Sequence, residues 1–166
     1  MRSSIQLFVL LVLLASPAWP EGRILLVPGE RAGLIELGKP IPRQAYATYG
    51  QPSSRTEPGE EVDTGSVVFG ESSDFHLSKG MLVKLNDGHE RHNVFSVYVT
   101  GLRAYTPAGV YLGTRRAEVK ARYPEAVEEE DALTGERNLR IPGMLFSFSD
   151  DDLVEMVVLP ITKPTK

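Results

Sequence analysis

The sequence predicts a small α+β protein built from two tandem repeats. Each repeat is a short helix followed by an antiparallel β-hairpin, and the two share one sheet with both helices packed on a single face. Three observations predict it: a glycine-bracketed apolar motif occurs twice, each copy precedes a helix-compatible segment, and two strand-like blocks recur in the same order. Self-similarity of this kind marks a duplicated structural unit.

The chain opens with a segment that reads as processing and not as fold. Arg2 supplies positive charge, Leu7–Ala15 is an unbroken apolar run of nine residues, and Ser16-Pro17-Ala18 follows. Ser16 and Ala18 put small residues at the −3 and −1 positions of a cut after Ala18. A membrane-spanning helix needs roughly 20 apolar residues, whereas Pro17, Pro20 and Glu21 interrupt this run. Residues 1–18 are therefore expected to be a removed signal peptide, and the protein to be periplasmic or secreted. The remainder divides into a first repeat unit over residues 19–105, a second over 106–160, and a flexible tail over 161–166.

The repeat begins at Gly33-Leu34-Ile35-Glu36-Leu37-Gly38, echoed by Gly109-Val110-Tyr111-Leu112-Gly113. The helix segments are Arg43–Gly50 and Ala117–Pro124, aligned with one small indel so that Tyr49 meets Tyr123. In the second, Thr114 stands at the N-cap position, where its hydroxyl would accept an unpaired N–H. Val119, Arg122 and Tyr123 share a face by their spacing, and Pro124 ends the segment. In the first, Pro40 and Pro42 suit only the first turn, and Gly50 suits the residue past the end.

The closing strands match too. Gly80–Leu85 corresponds to Gly143–Phe148 at an offset of 63, and Phe95–Val99 to Val154–Val158 at an offset of 59. Met81, Val83 and Leu85 alternate with Lys84 and Asn86, and Met144, Phe146 and Phe148 with Ser147 and Ser149, which is the signature of strands with one buried face. Asp87-Gly88 and Asp150-Asp151-Asp152 supply the turns. The intervening Pro52–Asp63 and Glu128–Asn138 read as charged loops, with Val67-Val68-Phe69 a candidate extra strand.

The pattern of Gly-apolar-x-Leu-Gly, short helix and glycine-led hairpin resembles the tandem unit of the β-lactamase inhibitor protein. It is similar also to the small outer-membrane lipoproteins that assist β-barrel assembly. The resemblance spans about Pro28–Val99 and Thr106–Leu159. It implies a sheet that presents a concave surface to a protein partner. Those lipoproteins carry one unit and a lipidated Cys, and the inhibitor carries disulfides. This chain has two units and no cysteine, so it has neither a lipid anchor by that route nor a disulfide.

Composition narrows the function classes. The formal charge is −4, with acidic clusters at Glu57–Asp63 and Glu125–Asp131 and no basic stripe, so nucleic acid is not an expected partner. His89-x-x-His92 beside Asp87 and Glu90 is the one metal-like cluster, but zinc wants three or four convergent ligands and a turn is where polar residues belong. His76 between apolar neighbours reads as a solvated or satisfied histidine and not as a catalytic base. Asp150–Asp152 lacks the alternating ligands and distal Glu of a calcium loop. Gly33–Gly38 has no following Lys-Ser/Thr to make a phosphate loop. Gly65-Ser66 lacks a nucleophile-elbow context.

No catalytic, cofactor-binding or metal residue is therefore nominated, no cofactor is expected, and the chain is not read as an enzyme. Among the tyrosines, Tyr49 and Tyr123 are expected to pack, and Tyr46 and Tyr111 to be exposed recognition candidates. The expectation is an exported binding module whose partner is another envelope or secreted protein, without membrane association after cleavage. The alternative is a small-molecule or glycan-binding protein, or a hydrolase, with its site unrevealed.

Overall fold

The computed structural model describes residues 23–56, 65–73, 76–85, 92–101, 103–131 and 134–161. The expected signal peptide, most of the tail, and His89 with Asp87 and Glu90 lie outside the described residues. In chain order the elements are β1 (Ile24–Val27), β2 (Arg31–Ala32), β3 (Ile35–Glu36), α1 (Arg43–Tyr49), β4 (Ser54–Thr56), β5 (Gly65–Ser73) and β6 (His76–Leu85). They continue with β7 (Val94–Thr100), β8 (Ala104–Tyr105), α2 (Arg116–Arg122), β9 (Val127–Glu130), β10 (Arg137–Ile141), β11 (Met144–Ser149) and β12 (Asp152–Val158).

These strands make two sheets. The larger is antiparallel, in the order β4-β5-β6-β7-β12-β11-β10-β9, so β7 and β12 meet at its centre. The smaller runs β3-β2-β1-β8, with β1 and β8 parallel. The expected fold class is thereby corrected. The molecule is mostly β, each helix is followed by four antiparallel strands and not by a hairpin, and a second sheet is present. The expected pairings of Gly80–Leu85 with Phe95–Val99 and of Gly143–Phe148 with Val154–Val158 exist only as parts of those longer runs.

The error has a physical source. Glu128–Asn138 and Pro52–Asp63 carry no apolar alternation, so they read as loops, yet they contribute β9, part of β10, and β4. Pairing here comes from oppositely charged cross-strand neighbours and not from apolar alternation within either strand. Arg137 faces Glu130, and Arg140 Nε lies 2.6 Å from Glu129 Oε1. Leu139 and Ile141 anchor the strand in the core.

Alternation dictates what the larger sheet buries. Phe69, Met81, Val99, Met156, Phe146 and Leu139 stand directly opposite one another across six strands. Val67, Val83, Val97, Val158, Met144 and Ile141 form the next row on the same face. All twelve are buried and belong to one core cluster. The helices close over this face through aromatic contacts. Tyr46 and Tyr49 of α1 lie 5.6 and 5.9 Å from the Phe69 ring, and Tyr123, just past α2, lies 5.4 Å from Phe146. Ile24, Leu26, Ala32 and Ile35 bring the small sheet into the same cluster.

Thr114 is not the N-cap of α2. That position falls to Arg115, with no side-chain cap, while Thr114 Oγ1 accepts the Tyr111 N–H at 3.2 Å. Two bulges interrupt the ladders beside the sheet centre. Lys84 faces Ser96 but Leu85 faces Val94, leaving Phe95 as the extra residue. Likewise Ser147 faces Glu155 but Phe148 faces Leu153, leaving Val154 extra. Both extra residues are exposed.

Candidate functional site on the second face of the sheet

Residues that alternate with the buried rows face the other way. Val68, Leu82, Tyr98, Val157 and Leu145 stand opposite one another in a row across β5, β6, β7, β12 and β11, and Arg140 of β10 extends it. Val68 and Val157 are buried yet lie outside the main core cluster, as their orientation requires. Leu82, Tyr98 and Leu145 keep part of their surface exposed. The helices and the small sheet pack on the first face. On the second face Val157 is 1% and Val68 8% exposed, so this face is open only in part.

A polar row runs beside this apolar one. Glu155 of β12 faces Ser147 of β11, and the Ser147 hydroxyl donates to Glu155 Oε1 at 3.4 Å. One position beyond the Leu139–Phe146 pair, Asn138 of β10 takes the next place, and beyond it stands Glu129 of β9. Arg140 holds the Glu129 carboxylate. Asn138 is 8% exposed, and its side-chain oxygen is buried with no hydrogen-bond partner. Burial pushes the Glu155 carboxyl above the usual carboxylate range, and the Ser147 hydrogen bond opposes the shift.

The residues singled out in the sequence lie elsewhere. Tyr49 and Tyr123 pack against the core, as their positions implied, and the Tyr49 hydroxyl accepts the Leu34 N–H at 3.0 Å. Tyr46 was expected to be exposed, but it packs on Phe69 because its i, i+3 relation to Tyr49 puts both on the core side of α1. Tyr111 is 56% exposed. His92 has a positive φ of 72° in the turn before β7. Among the described residues no group of three or more His, Cys, Asp or Glu converges as for a metal ion. Asp151 and Asp152 are engaged by Arg116 and Arg115. His76 lies in β6, and Ser66 in β5 faces Lys84. No helix among the described residues is long and apolar enough to cross a membrane.

Sequence reasoning missed Asn138 and Glu155 altogether. One signal was present: Leu145 sits between Met144 and Phe146, so strict alternation puts a leucine on the outward face. A concavity of about 650 Å³ opens beside the small sheet, with Leu25, Leu34, Tyr49 and Phe69 among its apolar lining and Arg23 and Arg31 in its wall. No protein family, curated protein or solved structure matches the chain.

Proposed function

We propose that this chain is an exported, non-enzymatic module that binds another protein on the second face of its eight-stranded sheet. The observation that carries the reading is the row Val68–Leu82–Tyr98–Val157–Leu145, apolar side chains aligned across five adjacent strands. Leu82, Tyr98 and Leu145 keep exposed surface while Val68 and Val157 are buried beside them, and exposed apolar side chains bordered by polar residues are a feature of interaction sites. The leader-like residues 1–18 support export.

Capture from the native envelope fraction tests it. Tagged mature protein should retain a specific partner that Leu145→Lys loses by at least about tenfold, as for a charge placed in an apolar contact. The thermal midpoint of Leu145→Lys should stay close to that of the parent. Equal capture by both proteins would refute the reading.

The cavity beside Arg23 and Arg31 favours a second reading, binding of a small amphipathic anion, since two guanidinium groups border an apolar wall. Dodecanoate should then raise the thermal midpoint of the parent but not of the Arg23→Ala, Arg31→Ala double variant. An equal response from both would set that reading aside.

A further inference from the structure

We infer that the outward face of the small sheet holds a phosphate monoester, its dianionic head bridging Arg23 and Arg103 and its body resting against Tyr111. The site depends on neither reading above, although Arg23 also borders the cavity beside Arg31. The first ground is register. Ile24 stands opposite Ala104 in the parallel pair of β1 and β8, and both are buried. One step earlier on each strand come Arg23 and Arg103. The Ile24 N–H donates to the Arg103 carbonyl at 3.0 Å, so the ladder reaches them. Alternation turns both arginines to the face away from the core, and both are exposed. Two guanidinium groups thus leave neighbouring strands side by side.

The second ground is charge. Like charges directly opposite each other on a sheet repel. Among the described residues no carboxylate pairs with either guanidinium, and no other acceptor takes their hydrogens. Elsewhere the chain does pair its arginines: Arg115 with Asp152, Arg116 with Asp151 and Arg140 with Glu129. Arg23 and Arg103 keep two positive charges together with nothing to offset them. An anion that spans both removes the repulsion.

The third ground is room and chemistry. Both arginines line one concavity of about 460 Å³ with Ala104, Tyr105, Tyr111 and Leu112, a size within the range of small-molecule sites. They therefore border the same solvent-open space, and no Asp or Glu lines it. Tyr111 stands opposite Tyr105 in an antiparallel bridge and is more than half exposed. A phosphate monoester carries close to two negative charges at neutral pH and three acceptor oxygens. That matches two guanidinium forks in charge and in donor geometry. A carboxylate has a single charge and leaves one arginine unmatched. Tyr111 then offers its aromatic face to the body of the ester.

The test is NMR titration of the mature protein, labelled with nitrogen-15, with glucose 6-phosphate, phenyl phosphate, glucuronate and inorganic phosphate. Both esters should give saturable shifts centred on the amides of Ile24, Arg103, Ala104 and Tyr111, and should bind more tightly than glucuronate or inorganic phosphate. The tighter ester identifies the source, sugar or aryl. Arg103→Gln should weaken both esters at least about tenfold, as for loss of a charge-assisted hydrogen bond. It should also raise the thermal midpoint of the free protein, because it removes the repulsion. Arg103→Lys keeps the charge without the fork and should bind between the two. Tyr111→Ala should erase the advantage of the esters over inorganic phosphate.

Equal affinity of the parent and Arg103→Gln would overturn the inference. Glucuronate binding as tightly as glucose 6-phosphate would do the same, and so would shifts that fail to saturate. Shifts centred on Leu25, Leu34 and Thr48 would also overturn it, placing the anion in the cavity beside Arg31. The protein-binding reading stands apart from all of these outcomes, since the Leu145→Lys capture experiment decides it.

Discussion

Glu155 couples the candidate site to stability. Its carboxyl holds its proton to higher pH in the folded chain than in the unfolded one, where it titrates near 4.5, because burial penalises the charged form. The folded state therefore binds more protons than the unfolded state between 4.5 and the raised value, and stability falls as pH climbs through that window. Below the window the carboxyl costs nothing, and above it the full cost remains. Urea unfolding should show Glu155→Gln gaining on the parent between pH 4 and pH 7, with little difference at the acid end. A parent that gained stability over the variant across that range would contradict the burial of this group. Gly143 makes a different point at the same scale. Its φ is +81°, and a Cβ there would overlap the backbone of Gly29, whose N–H donates to the Gly143 carbonyl at 2.9 Å. Gly143→Ala should cost about 1–3 kcal/mol by chemical denaturation, the range for strain of this kind. The sequence marked Gly143 as the leader of a strand. Its contact with Gly29, 114 positions away, has no local signature.

At the scale of elements, legibility followed periodicity. Met81, Val83, Met144, Phe146 and Phe148 were readable as buried from alternation alone, and each is fully buried. Arg43–Tyr49 was readable as a helix, with Gly50 at its end in a positive-φ conformation. By contrast β9 carries Val-Glu-Glu-Glu with no buried residue, and short edge strands of that kind lack a pattern to detect. Its charge has a use, because like charges on an exposed edge discourage pairing with another chain. Replacing Glu128 and Glu130 by Val should therefore promote self-association, visible by light scattering as concentration rises. The helix caps were misread for a related reason. Thr114 has the right chemistry for an N-cap, but its hydroxyl is engaged by the Tyr111 N–H one turn earlier, so α2 starts uncapped at Arg115. Arg115 has extended backbone geometry and an exposed ion pair with Asp152. Such pairs contribute little, whereas a serine cap adds about 0.5–1 kcal/mol. Arg115→Ser should thus raise stability modestly, measured by urea unfolding.

Across the whole molecule, the decisive contact is β7 against β12. Val99 faces Met156 and Val97 faces Val158, so the strands that follow α1 and those that follow α2 form one sheet over one core cluster. No property of either segment alone announces this pairing. It depends on two strands whose central partners, Tyr98 and Val157, lie 59 residues apart, and on the small sheet joining β1 to β8 across 80 residues. The candidate face shares that origin, since its central residues Tyr98 and Val157 become neighbours only through the same ladder. Separate hairpin units would unfold independently, but a shared core predicts a single transition for the described body. Phe146 tests the difference because its ring meets Tyr123 behind α2 while its row continues through Met156 and Val99 to Phe69. Phe146→Leu leaves a hydrophobic residue of smaller volume and should cost about 1–2 kcal/mol. Far-ultraviolet dichroism reports the sheet, and tyrosine near-ultraviolet dichroism reports packing on both sides of the centre. Both should shift together to lower urea in the variant, with one midpoint. If the amide protons of β5 and β6 kept their parental exchange rates while those of β10 and β11 lost protection, the two halves would be separable, and the continuity of the core would not govern stability.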